Sequence, residues 1–525
     1  MLDTIVIGAG PAGIQASYFL KQRNISHKIL EKNNFPGSFY ARYPRHRKLI
    51  SINKCYTGST NSEFNLRHDW NSLLSNGGPR FTDYDKELFP SADSLLKYLA
   101  DFVDKENIDI SYNSEVSVIS KKNDIFTVEL SDGQQFLSKN LIIATGFNRT
   151  NKPAIKGIEY AVDYSVMSIN KEDYINKRVL IIGKGNSAFE TADHLAGVAS
   201  VIHVTSPTPL KLAWESHYVG NLRAVNNNII DMYQLKSQHG IIDGVIESIC
   251  KKDEKYQVDI SYIHAEGEKE SLLYDEILCC AGFKLDSTIF DISAMPETAM
   301  NGKYPVLSNS YESANVPGLY FAGTLTHASD FRKGTSGFIH GFRYNTQALV
   351  NILSRRLKDV EIPFQTVAND SDVLTKYLID RFNVVSSIWQ QPRVLAEVLC
   401  IEENNVLHYE ALPVEYAVDE YFENKKILLV TFEYGDVTDG GALNQNRIAR
   451  DNFDNSQFSH FLHPVLRYYN QGTLQEEFHV IEDLEAVWTI EEHYQHIFEF
   501  TSKVLELASS NTVDRYENDC VRKAV

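Results

Sequence analysis

An α/β protein with two doubly wound parallel sheets, followed by a separate α+β region, is the fold class the sequence predicts, on three observations. The stretch TIVIGAGPAGIQASYFL at residues 4 to 20 reads as a β-branched strand, a glycine turn and an apolar-periodic helix. RVLIIGKGNSAFETA at residues 178 to 192 repeats that grammar, an internal echo at domain scale. Strands ending in glycine then close each unit: KNLIIATGF at 139 to 147, YDEILCCAGF at 274 to 283 and VPGLYFAGTL at 316 to 325. The last of these comes after both units, so the second reads as an insertion into the first.

Taken in order, the first unit continues into HKILEK at residues 27 to 32, a strand ending at Glu31, which makes one βαβ unit. Residues 33 to 78 are irregular and rich in aromatics, Asn, Ser and Gly, the kind of long loop that carries function in an enzyme. PSADSLLKYLADFVDKENI at 90 to 108 supplies a helix, and residues 117 to 146 alternate as hairpin strands. After the second unit, ASVIHVTS at 199 to 206 is a strand, short strands recur from Gly240 to Asp275, and a helix is expected from about 341 to 358. Beyond residue 360 this grammar stops: residues 369 to 399 read as partly helical, KKILLVTFEYG at 425 to 435 as strand and turn, and 446 to 500 carry no assignable motif.

Composition narrows the function classes. At 525 residues, 43% hydrophobic and 23% charged, the chain has material for several cores. A formal net charge of -18, from 69 acidic and 51 basic residues, argues against nucleic-acid and anionic-membrane partners. Cys55, Cys250, Cys279, Cys280, Cys400 and Cys520 form no CxxC pair, so no metal site or dithiol redox couple is expected, and a reducing compartment is the default. The N-terminus starts a strand at once, without the features of a secretory signal, and no apolar run approaches the roughly 20 residues that span a bilayer. A cytoplasmic location without membrane attachment is the expectation.

The glycines carry the chemistry. In GAGPAG, Gly8 permits a tight turn, Gly10 lets the backbone approach a pyrophosphate, and Gly13 allows close helix packing; Pro11 and Ala12 open a helix whose free N–H groups face the phosphates. Glu31, 18 residues after Gly13, is placed to accept the ribose hydroxyls of an adenosine. This is a Rossmann-like, dinucleotide-binding turn, and the returning glycine-ended strands make FAD its better occupant. Gly323 is then expected beside the flavin pyrophosphate, and the helix start from His340 to Phe342 is expected to aim N–H groups at the isoalloxazine carbonyl.

In the second turn Gly183 and Gly185 take the first two roles, while Ala188 replaces the third glycine. Asn186 and Ser187 either cap the helix or bind phosphate. The following VTSPTPLK places no carboxylate at the ribose position, and Thr205, Ser206 and Lys211 accommodate a 2′-phosphate; Lys211 reads equally as a surface lysine. NADPH is therefore expected over NADH.

GAGPAG, GSFYARYP (37 to 44), FPS (89 to 91), ATGFNRTNKP (144 to 153) and GKGNSAFE (183 to 190) together resemble the class B flavoprotein monooxygenase superfamily, over about residues 1 to 350. The resemblance implies that Gly37, Ser38 and Gly146 join the cofactor site. It places Asn53, in LISINK, where the family carries an active-site asparagine beside the flavin, with a turn cap as the alternative. Arg42, Tyr43 and His68, in the same irregular region, are candidate substrate contacts or ordinary packing. One register departs: the family segment F-x-G-x-x-x-H reads YSVMSIN here, with Tyr164, Val166 and Asn170 at the marked positions. Within the superfamily, HYVGNLRAVNN (217 to 227), YQLKS (233 to 237), GFIHGFRYN (337 to 345) and HPVLRYY (463 to 469) resemble a flavoprotein group of the animal endoplasmic reticulum. The terminal RKAV does not read as a retention signal for that compartment.

The expected architecture is an FAD-binding domain of residues 1–160 and 285–360, an NADPH-binding domain of 165–285 inserted into it, and a C-terminal α+β cap or interaction domain of 361–525. The expected activity is NADPH-dependent, single-component flavin monooxygenation of a small, amine-like or amino-acid-like substrate by O2, through a flavin C4a-(hydro)peroxide. The alternatives are an NADPH-dependent reductase or oxidase serving a small acceptor or a partner protein, and a flavoprotein scaffold. A homodimer is compatible with each.

Overall fold

A computed structural model describes residues 1–234, 238–263, 265–435 and 447–510. Cys520, the terminal RKAV and most of YQLKS lie outside the described residues. The chain divides into two compact units: residues 1–57 with 68–346, and residues 58–67 with 347–525.

The first unit holds two seven-stranded sheets. In the first, β1 (Leu2–Ile7), β2 (His27–Leu30), β3 (Ile110–Ser111), β4 (Val116–Lys122), β5 (Ile125–Leu130) and β6 (Gln135–Ile143) lie in the order β3-β2-β1-β6-β5-β4. Helix α1 (Pro11–Gln22) connects β1 to the parallel β2, with Pro11 at its first turn, where a missing N–H costs nothing. Strand β6 changes neighbours along its length: Phe136 and Ser138 pair antiparallel with β5, and Leu141–Ile143 pair parallel with a strand, Leu319–Phe321, that arrives much later in the chain. Leu141, Ile142 and Ile143 are fully buried. At roughly 1.5–3 kcal/mol for each such side chain, this junction is a strong anchor for the sheet.

The second sheet lies in sequence between those two partners. Its strands are β7 (Val162–Asp163), β8 (Arg178–Ile182), β9 (Val201–Ser206), β10 (His239–Lys252), β11 (Lys255–Tyr262), β12 (Lys269–Tyr274) and β13 (Glu276–Cys279), in the order β12-β11-β10-β9-β8-β13-β7. Helix α2 (Asn186–Leu195) connects β8 to β9 as α1 connects β1 to β2. The run from Gly240 to Asp275, expected as short strands, is dominated by the 14-residue β10 folded back on β11. Asp253, in the left-handed region at φ 56°, makes that reversal. The late strand Leu319–Phe321, here β14, completes the first sheet, and helix α3 (Ile339–Lys358) follows.

The second unit carries a six-stranded antiparallel sheet of β15 (Gln365–Ala368), β16 (Leu395–Ile401), β17 (Asn405–Pro413), β18 (Lys426–Glu433), β19 (His463–Asn470) and β20 (Thr473–His479), in the order β15-β17-β16-β18-β19-β20. Helices α4 (Ser371–Val384) and α5 (Glu491–Ser509) complete this α+β region. In it Glu397, His408 and Glu410 bring their ligand atoms within 4.8 Å of one another. The guanidinium of Arg381, 2.9 Å from Glu397 and 3.6 Å from Glu410, already supplies the positive charge there.

Candidate functional site

The first glycine turn is shaped by what a side chain would strike. A Cβ on Gly8 (φ 101°) would come 2.9 Å from the Ala144 carbonyl oxygen, and one on Gly13 would come 1.9 Å from that of Gly8. Gly10 meets nothing within 4 Å, so the turn is closed by backbone on two sides and open at Gly10. It opens on a cavity of about 280 Å³, lined among others by Gly8, Gly10, Glu31, Ser38, Tyr43 and Thr145.

Glu31 borders that cavity although only 5% exposed. Its Oε1 accepts from Asn33 N (3.0 Å), Asn33 Nδ2 (2.9 Å) and Ser38 Oγ (3.1 Å), while Oε2 accepts from Ala9 N alone (2.9 Å). Oε2 thus retains accepting capacity for a further donor. Ser38 spends its hydroxyl on Glu31, and Gly37 adopts φ 69°, the left-handed region that favours glycine. A Cβ on Gly323 (φ 73°) would lie 2.7 Å from that of Ala12, so the late strand returns the chain to the first turn. Gly146 (φ 61°) lies close to Thr324. The buried hydroxyls of Thr145 and Thr324 have no partner among the described residues. An open turn, a carboxylate with an unused acceptor and two unmatched hydroxyls fit one half of a dinucleotide.

The second turn repeats the backbone and changes the charge. A Cβ on Gly183 (φ 122°) would come 2.3 Å from the Cys280 carbonyl oxygen, and Gly185 is open as Gly10 is. Gly8 N donates to Leu30 O at 2.9 Å and Gly183 N to Thr205 O at 2.8 Å, so Thr205 stands where Leu30 does and Ser206 where Glu31 does. Thr205 is buried and its hydroxyl has no partner among the described residues; Ser206 Oγ donates to Thr208 O at 2.9 Å. Lys211 is exposed. A carboxylate nevertheless stands close by, because Asp243 on β10 pairs with Ser206. Lys184, at the position of Ala9, is ion-paired to it and donates to Thr208 O at 3.2 Å. Neither Lys184 nor Asp243 was expected; the charged residue between two glycines was the available signal.

Asn186 and Ser187 do not cap α2. Asn186 instead clasps residues 220 to 226, donating to Gly220 O (3.3 Å) and Asn221 O (2.9 Å) and accepting from Arg223 N (3.0 Å) and Asn226 Nδ2 (3.2 Å). The Ser187 carbonyl accepts from Thr191 Oγ1 at 2.8 Å.

In the irregular segment, Tyr43 stacks on Tyr164 at 5.7 Å and 13°, and Arg42, itself exposed, lies 5.7 Å from the Tyr43 ring. Tyr164 accepts from Arg45 N at 3.1 Å and donates to Glu190. Burial pushes the Glu190 carboxyl up to about 7, with the Tyr164 bond opposing. The Asn53 amide, expected to face the flavin, donates to Asp85 O at 2.8 Å and is 1% exposed; its Oδ1 has no partner among the described residues. His68 is part-buried, its carbonyl accepting from Lys54 N at 3.1 Å. At the helix start, Gly341 N and Phe342 N both donate to Phe338 O, at 3.1 and 2.9 Å. Sequence reasoning also missed a relay in which Tyr218 OH bonds His327 Nε2 (2.9 Å) and His327 Nδ1 bonds Asp330 (2.9 Å).

The family model described as pyridine nucleotide-disulphide oxidoreductase matches residues 5–323, spanning both glycine turns and the returning β14. The chain belongs to this family. A mouse relative named FAD-dependent oxidoreductase domain-containing protein 2 is 33% identical over 93% of this chain and 81% of its own length. Ferredoxin–NADP reductase 1 of Bacillus anthracis is 26% identical over 62% of this chain and 82% of its own. Among solved structures, the flavin-containing monooxygenase from Stenotrophomonas maltophilia aligns with a TM-score of 0.53 at 19% identity, over 68% of this chain and 98% of that one. The motif resemblance to flavin monooxygenases therefore holds for the fold. This pyridine nucleotide-disulphide oxidoreductase family member is an FAD-dependent oxidoreductase that uses a pyridine nucleotide. Among the described residues, no helix is long and apolar enough to cross a membrane.

Proposed function

We propose that the chain is an NADPH-dependent flavin monooxygenase acting on a small substrate, with FAD in the cavity at Gly10 and NADPH at Gly185. The observation that carries the reading is the pair of glycine turns in one unit, equal in register and unequal in charge, with Glu31 at one and Ser206 with Lys184 at the other. Held at the first turn, FAD would supply the capacity to accept a hydride from a nicotinamide and to pass two electrons to O2.

This chain's own residues bind and orient. The start of α1 presents N–H groups to phosphate, Glu31 Oε2 accepts a ribose hydroxyl, and Thr145 and Thr324 offer two further hydroxyls. At the second turn Ser206 takes the position of an acid that would repel a 2′-phosphate, and Lys184 neutralises Asp243 one strand away. Tyr43 and Phe39, which line the cavity, cluster with Phe283, at 5.0 Å and 6.1 Å between ring centroids.

A second reading, an NADPH-driven reductase passing electrons to a small acceptor or a partner, is favoured by Asn53, whose amide is spent on the Asp85 carbonyl. Anaerobic reduction of the purified holoprotein by NADPH, then admission of 18O-labelled O2 with a panel of small amines and amino acids, separates the two. Label in a product supports oxygenation. Stoichiometric H2O2 across the whole panel overturns it in favour of the reductase, and failure of NADPH to bleach the flavin overturns both.

A further inference from the structure

The segment HYVGNLRAVNN, residues 217–227, belongs to neither glycine turn, yet Asn186 at the start of α2 holds it at four points. One of the groups so fixed is Arg223, whose backbone N–H donates to Asn186 Oδ1. The Arg223 guanidinium lies 5.1 Å from the ring centroid of Trp70 and is part-buried. Burial lowers its pKa, and no carboxylate or hydrogen-bond acceptor meets it among the described residues. Part-buried Arg381, by contrast, has Glu63 and Glu397, and Arg467 has Glu433 and Glu477.

Trp70 also stacks on His340, with ring centroids 4.1 Å apart and planes at 27°. His340 is fully buried, and neither ring nitrogen has a partner among the described residues. Burial, then the charges of Arg343 and Arg223, hold its pKa well below the ordinary value, so the ring is neutral, with one N–H and one lone pair both unmatched. A π-face, a desolvated cation lacking a counter-ion and a buried imidazole with an unused donor and acceptor thus come together. Positive charge excludes a metal cation here. What a guanidinium in this setting lacks is an oxyanion that its planar fork can bind with two parallel bonds.

We propose that Arg223, seated on Trp70 beside His340, is the anion-binding residue of a ligand subsite that takes a carboxylate or a phosphate ester. The inference rests on the functional reading above only for the ligand's source: a phosphate belongs to the pyridine nucleotide, a carboxylate to the molecule that receives the electrons. The 2′-phosphate position proposed above involves other residues, Ser206 with Lys184 and Asp243.

The test measures binding to the holoprotein rather than turnover, using wild type, Arg223→Gln, Arg223→Lys and Trp70→Phe. The probes are NADP+, NAD+ and benzoate, followed by calorimetry and by tryptophan fluorescence. If the anion is the nucleotide's, Arg223→Gln raises the Kd of NADP+ and NAD+ alike by at least tenfold, Arg223→Lys restores part of the loss, and benzoate binding changes little. If it is a substrate carboxylate, nucleotide binding is unchanged, benzoate quenches fluorescence in wild type and not in Trp70→Phe, and Arg223→Gln weakens benzoate by at least tenfold. Either result supports the subsite. Kd values within twofold of wild type for all three probes in Arg223→Gln, or no binding of any probe by wild type, would overturn it. Arginine-dependent benzoate binding in a protein whose flavin NADPH does not reduce would leave the subsite standing and remove the monooxygenase reading.

Discussion

The two glycine turns share a backbone and differ in where their charge comes from. At the first, Glu31 follows the strand directly and is held by donors from Asn33 and Ser38, local in sequence, and from Ala9, 22 residues before it. At the second, Ser206 takes that place, and the charges nearby, Lys184 and Asp243, are 59 residues apart and meet only because β10 lies beside β9. On the proposed reading, the charge that would set selectivity at the second turn comes in part from the neighbouring strand, through Asp243. The packing differs as well: the third glycine of the first turn is replaced by the buried Ala188 in the second.

The largest expected effect comes from forcing the second turn's residue on the first. Gly13→Ala places a Cβ where backbone stands 1.9 Å away, at the Gly8 carbonyl, and neither element can give way without moving β1 against α1. Overpacking of this kind costs about 1–3 kcal/mol or more. The protein is expected to purify without flavin and to melt at lower temperature; full FAD content with an unchanged Tm would show that the turns are looser than drawn. Glu31→Ala comes next. It leaves the Ala9 and Asn33 N–H groups without their acceptor, at about 1–3 kcal/mol for a buried unsatisfied group, and FAD content in the purified protein should fall while NADP+ affinity stays near wild type.

The part of the site that was legible in the sequence is the part made of local residues. Gly8, Gly183 and Gly323 announce backbone at positive φ, and the strands that end in glycine identify which sheet each belongs to. Pairings across long separations left no such trace. The Tyr218–His327 bond joins residues 109 positions apart, and residues 58–67 group with 347–525 without any change in composition to mark them. Asn186 looked like a cap because Asn favours that position. Its clasp on residues 220 to 226 depends on a loop that the motif does not contain.

Lys184→Met tests selectivity at the second turn. The side chain is 4% exposed and ion-paired to Asp243, so its loss leaves a carboxylate uncompensated beside Ser206. The Kd of NADP+ should rise about tenfold relative to that of NAD+, the scale of one nearby charge at partial burial. Asp243→Asn in the same background should restore the ratio, and equal loss for both nucleotides would mean that Lys184 supports the turn without selecting the phosphate.

Glu190, on the helix that follows the second turn, gives a pH signature. Its carboxyl is raised from 4.5 to about 7 by burial, with the Tyr164 bond opposing. The folded state therefore binds this proton more tightly than the unfolded chain. Its contribution is fully present below about pH 4.5 and is lost as pH rises through about 7, on the order of a few kcal/mol in total. Melting temperatures of wild type and Glu190→Gln, measured from pH 5 to 8, should be closest at the acidic end, diverge as pH rises toward 7 and keep a constant separation above it, with wild type the lower. Parallel curves would mean that Tyr164 holds the carboxylate ionised throughout.

The smallest effect is the reverse of the first substitution. Ala188→Gly restores a third glycine to the second turn, where Ala188 is fully buried on α2 and packs with Val179, Ile181 and Phe189. The helix loses propensity, at most about 1 kcal/mol, and a methyl group leaves the core, about another 0.8 kcal/mol. The substitution should lower Tm by a few degrees with NADP+ affinity within twofold of wild type. If it instead tightened nucleotide binding, the alanine would be holding helix and phosphate apart, and the two turns would differ in backbone as well as in charge.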